Sequence, residues 1–321
     1  MRKTIKKTVA ICLALTMMAA LAGCSSESSE TTAAATEAPE TTAEATEAET
    51  ETTAEQTEAE TEAAVEIDYR DIDVDALVAE GANIVYATTY GVYNMEGESP
   101  DSSIKADVYY DLDNDDVVYI EFEEALLPYS AGGASGWGVL DEDTVSALGD
   151  DVIALESATY PMYFEVGGVQ WTGAEDGNGG ITYTAEIDGE EIDFLSYVST
   201  AEGGAWYHDS MADGAALLTA DGEEAATVEI GTKASINHGV DFWPSSITFP
   251  GNLELIKNYV YDNGVNYDYA PDGDDIAQNE DGQWVVADVV TGATLAGTPN
   301  YLNLVKEAVD EIAAGNYTTV E

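Results

Sequence analysis

Residues able to do chemistry are scarce in this chain of 321 residues, and the scarcity removes whole classes of reaction. His208 and His238 are the only histidines, so a multi-histidine metal centre has no ligands to draw on. Both read as structural or merely exposed. Cys12 and Cys24 are the only cysteines, too few for a disulfide framework or a thiolate cluster. No Gly-x-Ser-x-Gly elbow occurs, and two isolated histidines are poor partners for a serine nucleophile. Asp111-Leu112-Asp113-Asn114-Asp115-Asp116 opens like a calcium loop, but the turn glycine is missing and Phe122 stands at the twelfth position. It reads as a solvated β-turn. Pro271-Asp272-Gly273-Asp274-Asp275 reads as a plain acidic loop. The glycine-rich run from Ala131 to Gly138 is not followed by Lys-Ser/Thr, so it is no phosphate-cradling loop. One stretch survives: Asp288-Val289-Val290-Thr291-Gly292-Ala293-Thr294, after the strand-like QWVVADVV.

The elements that must position this stretch are legible from periodicity and caps. Short apolar and aromatic runs alternate with Gly and Asp turn signals, which predicts an α+β fold, mainly antiparallel β-sheet with a few helices. IKADVYY (104–110) and VVYIEF (117–122) flank the Asp111–Asp116 turn as two strands. ITYTAEI (181–187) and EIDFLSYV (191–198) flank Asp188-Gly189, a strong hairpin signal. Two helices are predicted near the end. Asn252 caps LELIKNYVYDN, which stops at Gly264, and Thr298-Pro299 opens PNYLNLVKEAVDEIAAG, which stops at Gly315.

Charge and aromatics divide the chain into three objects. Residues 1–23 hold Arg2, Lys3, Lys6 and Lys7 and no acid. Their apolar run VAICLALTMMAALAG is too short and wrongly flanked for a spanning helix. It ends in Leu21-Ala22-Gly23-Cys24, which resembles the lipobox of bacterial lipoproteins. The resemblance implies a signal peptide over 1–23 and a diacylglycerol on the Cys24 sulfur. Residues 24–66 form a Thr/Glu/Ala-rich tether: from Ser25 to Glu66 there are 13 Glu and no Lys, Arg or aromatic. Such a segment buries too little apolar surface to offset the entropy of ordering, so it is expected to be disordered. Its reach is about 35 Å as a coil and up to about 140 Å extended. A lipid-anchored domain on that stalk suits the outer face of a Gram-positive cell membrane.

The folded part, 67–321, carries the remaining 51 acids against five bases, a net charge of −46. So acidic a surface cannot neutralise a phosphate backbone, which excludes nucleic acid, and it is repelled by anionic lipid, leaving the anchor as the only membrane contact.

The surviving stretch resembles the flavinylation motif of FMN-binding domains, such as the C subunit of the sodium-pumping NADH:quinone reductase and the G subunit of the Rnf complex. That motif reads Asp, two variable residues, Ser/Thr, Gly/Ala, Ala, Ser/Thr. The resemblance implies covalent FMN on Thr294 as a phosphoester, with Asp288, Thr291, Gly292 and Ala293 as the frame read by a flavin transferase. It further implies an extracytoplasmic electron carrier served by a membrane quinone reductase or other redox partner, with no catalytic residue of its own. Phe249 to Tyr259 resembles the helix before the motif in flavinylated surface lipoproteins. The likeness covers about 249–314, so an FMN-binding-like part is set at about 249–321. Residues 130–245 resemble nothing recognised and form an insertion or a second domain. Independently of the family, Gly292 and Ala293 leave room around Thr294, and a helix start four residues on favours an anionic group. Two readings stand beside this one. TGAT can be an ordinary turn between strand and helix. The protein can instead be a non-catalytic solute- or glycan-binding surface lipoprotein that uses Trp137, Trp171, Trp206 or Trp243 as stacking platforms.

Overall fold

The computed structural model describes residues 67–93, 101–131, 140–155, 158–177, 180–235, 247–268 and 275–321. Cys24, the tether, Trp137, His238, Trp243, most of the glycine-rich run and 271–274 lie outside them.

The described part is α+β with antiparallel sheets dominating. A capped turn of helix, α1 (Val74–Ala79), leads into β1 (Ile84–Val92), β2 (Ser102–Asp111) and β3 (Asp116–Leu126). These pair through Tyr86–Tyr109 and Val108–Ile120, with a register shift in the β2–β3 pairing between Tyr109 and Tyr110. Asp111 closes the β2–β3 turn by accepting from Asp113 N, Asn114 N and Asn114 Nδ2.

The chain then runs through α2 (Pro128–Ala131), α3 (Glu142–Leu148), β4 (Val152–Ala154), β5 (Thr159–Pro161), β6 (Tyr163–Val166), β7 (Val169–Glu175), β8 (Ile181–Ile187), β9 (Glu190–Asp193), α4 (Phe194–Val198), α5 (Ala201–Ser210), β10 (Ala215–Leu218) and β11 (Glu224–Val228). It ends with α6 (Phe249–Asn263), β12 (Ile276–Gln278), β13 (Trp284–Val286), β14 (Val289–Val290), α7 (Thr298–Ala314) and β15 (Thr318–Thr319). Sheet orders are β15-β1-β2-β3, β11-β10-β6-β7-β8-β9, β12-β13-β14 and β4-β5.

Two apolar clusters result. One joins β1–β3 to α6, α7 and the loop between them, through Ile104, Val108, Ile256, Val260, Tyr301 and Val305. The other lies within 125–230 around Phe164, Trp171, Phe194, Tyr207 and Leu217.

Three sequence expectations need correction. EIDFLSYV is not one strand: β9 stops at Asp193, whose carboxylate accepts from Ser196 N and caps α4. Asn252 does not cap α6. Thr248 does, accepting from Gly251 N at 3.1 Å, with Pro250 in the first turn. QWVVADVV is not a single strand but a hairpin. Ala287 (φ 46°) and Asp288 (φ 67°) form its left-handed two-residue turn, with Val286 opposite Val289.

Candidate functional site

The stretch from Thr291 to Leu295 links β14 to α7 and is held from two sides. Thr291 lies against β13: its N–H and its hydroxyl both donate to Trp284 O, at 2.8 and 2.9 Å. The same hydroxyl accepts from Ala293 N at 3.0 Å, and Ala293 O accepts from Trp284 N at 2.9 Å. Gly292 sits at φ 79°, a left-handed conformation that favours glycine. Ala293 is fully buried in the first apolar cluster.

From the other side comes Asn252, one turn into α6 and fully buried. Its carbonyl oxygen accepts from Thr294 N at 2.7 Å and Leu295 N at 3.0 Å, while its amide donates to Thr248 O at 3.1 Å. Leu295 O is then fixed by Trp284 Nε1, Thr298 N and the Thr298 hydroxyl. Sequence reasoning placed Asn252 at a helix cap and missed this role, since nothing local signals a partner 42 residues away.

The structure therefore brings Thr291, Gly292, Ala293 and Thr294 into one braced loop. Asp288 stands apart, exposed at the tip of the β13–β14 turn, with no side-chain hydrogen bond among the described residues.

The three threonine hydroxyls here differ in one respect. Those of Thr291 and Thr298 are spent on backbone carbonyls at 2.9 and 2.7 Å. That of half-buried Thr294 has only Asn252 Oδ1, at 3.4 Å, too long for a strong O–H···O bond. Thr294 is thus presented on a fixed backbone with its oxygen uncommitted. The first turns of α6 and α7 flank the loop, but their amides are largely engaged: Gly251 N by Thr248, Thr298 N by Leu295 O and Asn300 N by Gly297 O. An anion on Thr294 is favoured there by the helix dipoles, with little direct amide donation.

A second constellation was not expected from sequence. His208 on α5 is 5% exposed at its side chain, with Nδ1 2.6 Å from Glu123 Oε1 and Nε2 3.2 Å from Ser103 Oγ. The hydrogen bond to His208 draws the Glu123 carboxyl below its ordinary range despite partial burial. The order acid, imidazole, hydroxyl is that of a nucleophile triad. Ser103, however, is fully buried near the start of β2, where no carbonyl substrate can approach. The trio ties α5 to β2 and β3.

Trp171, one proposed stacking platform, is fully buried against Phe194 and Trp206. Among the described residues no group of three His, Cys, Asp or Glu side chains can hold a metal ion, and no helix is long and apolar enough to cross a membrane. The chain matches no family model, no curated protein and no solved structure.

Proposed function

We propose that this protein is an extracytoplasmic electron carrier, lipid-anchored through Cys24, whose FMN is attached covalently to Thr294. The observation that carries the reading is the uncommitted Thr294 hydroxyl within a loop whose Thr291, Ala293, Thr294 and Leu295 amides are all held. In the transfer the motif implies, Thr294 Oγ gains a bond to phosphorus as the pyrophosphate of FAD breaks, AMP leaves and the hydroxyl proton is released. Bound FMN supplies the one- and two-electron chemistry. The chain contributes position: Asn252 and Trp284 fix the acceptor backbone, and Gly292 gives the loop its left-handed bend. The same hairpin presents Val289 and Val290, 39% and 52% exposed, as apolar surface beside the frame. Covalent attachment keeps a surface protein from losing its cofactor to the medium.

The test is intact mass plus in-gel fluorescence after the full chain is exposed to a flavin transferase and FAD. Wild type and Thr294→Ser gain one FMN, and Thr294→Ala gains none while keeping its fold. FMN retained by Thr294→Ala, or absent from wild type, overturns the assignment and moves the solute- or glycan-binding reading into first place.

A further inference from the structure

A cleft of about 680 Å³ runs along the outer edge of β1, and none of its lining residues belongs to the acceptor loop. One wall is the C-terminal half of α7, with Glu307, Asp310 and Glu311. The other is Ser199 and Ala201, where α4 meets α5. The floor is β1 itself.

The hydrogen-bond pattern shows which backbone groups of β1 face the cleft. Tyr93 N donates to Ser102 O, so odd-numbered residues point toward β2; Val320 N donates to Ile84 O, so even-numbered residues point outward. β15 covers this outer edge only opposite Val85 and Tyr86. Beyond it, the N–H and C=O of Thr88 and Tyr90 face the cleft with no partner among the described residues. An open edge of this kind is a template for another strand.

We propose that the cleft receives an extended, Lys- or Arg-bearing segment of a partner protein, which adds to β1 as a strand in line with β15. Main-chain bonds to Thr88 and Tyr90 supply the pairing, and the carboxylates of Glu307, Glu311 and Asp310, the last already facing Lys306 at 3.6 Å, together select cationic side chains. The charge of the wall decides between occupants. The chain's own tether bears 13 Glu and no base, and a second copy would bring the same acidic wall, so both are repelled. The inference does not depend on a flavin at Thr294.

Amide hydrogen exchange on the full chain gives the first test. Alone, Thr88 and Tyr90 exchange at least about tenfold faster than Ala87 and Thr89, whose amides pair with β2. The probe is the capped pentapeptide Lys-Val-Lys-Val-Lys, which protects Thr88 and Tyr90 on binding. N-methylating its edge-facing amides, or replacing Lys by Glu, weakens binding at least about tenfold. The triple variant Glu307→Gln, Asp310→Asn, Glu311→Gln also weakens it about tenfold, while its amides can keep the contacts to Asn303 and Asn316. Equal binding of the N-methylated peptide, or no binding at all, overturns the proposal. Protection of Thr88 and Tyr90 in the free chain also overturns it. In that case, loss of protection on deleting 25–66 would identify the tether as the occupant, and concentration dependence would identify a second copy.

Discussion

Two buried polar side chains carry most of the specificity at the scale of single residues. Asn252 holds two consecutive backbone amides with one oxygen. Asn252→Ala strands both inside the protein, a loss of about 2–4 kcal/mol given the desolvation penalty of an unpaired amide. Asn252→Asp keeps an oxygen for both amides, but it buries a charge and turns an oxygen toward Thr248 O and Ile247 O, so it restores position without restoring full stability. If Asn252 positions the acceptor, flavin transfer to Thr294 falls in the Ala variant and is largely restored in the Asp variant. Equal transfer in all three chains would assign it to stability alone. Lys233 is the second. It is 4% exposed, with its ammonium 2.8 Å from Glu124 and 3.2 Å from Asp101, and Glu124 also accepts from Tyr301. Burial pulls the Lys233 ammonium down, and the two carboxylates more than offset it, so it titrates above its ordinary value. A raised folded value contributes stability that is complete below the ordinary lysine range and lost only as pH climbs through the raised one. Lys233→Met therefore costs about 3–5 kcal/mol at any pH from neutral to about 10, by leaving Glu124 buried and uncompensated. Adding Glu124→Gln recovers part of that loss. Denaturation midpoints at two pH values check both statements.

At the scale of elements, the β13–β14 hairpin separates what sequence shows from what it hides. Alternation and caps revealed β2, β3, β8 and α7 because each is decided by neighbours within one element. The hairpin was hidden because Ala287-Asp288 is not the Asn-Gly or Asp-Gly pair that normally announces a two-residue left-handed turn. α4 was hidden because Phe194–Val198 is as apolar as a strand, and only the Asp193 cap turns it helical. The motif residues Thr291–Thr294 were legible, but Asn252 was not, since its role is set by packing between two distant elements. The turn itself gives a prediction. A left-handed Ala costs about 1–2 kcal/mol, which glycine avoids at some cost in unfolded-chain entropy. Ala287→Gly should therefore stabilise by about 0.5–1 kcal/mol. Gly292→Ala should destabilise by at least about 1 kcal/mol. The nearest atom to the added methyl, at Leu255, lies at ordinary contact distance of 3.5 Å, so backbone conformation sets that cost. A Gly292→Ala variant as stable as wild type would refute the left-handed loop.

For the whole molecule the controlling quantity is charge. The folded part holds five bases, and each is already in an ion pair: Arg70 with Asp262, Lys105 with Asp107, Lys233 with Glu124, Lys257 with Glu254 and Lys306 with Asp310. With 51 acids in 67–321, most carboxylates have no cation to meet. The compact state gathers those like charges, and expansion relieves them, so self-repulsion subtracts from stability at neutral pH. Salt acts on both sides of this balance. It weakens the surface pairs of Arg70 and Lys306, which contribute at most about 1 kcal/mol each, and it screens many more repulsive pairs. The second effect wins on number. Between about 0.01 and 0.15 M NaCl the screening length falls from about 30 to about 8 Å, short enough to uncouple carboxylates on different elements. The melting temperature of the full chain should therefore rise by about 3 °C or more, equivalent to about 1 kcal/mol. KCl at equal ionic strength should give the same rise, because screening does not depend on which monovalent cation supplies it. A melting temperature that stays level or falls over this range would mean that the ion pairs outweigh the uncompensated carboxylates.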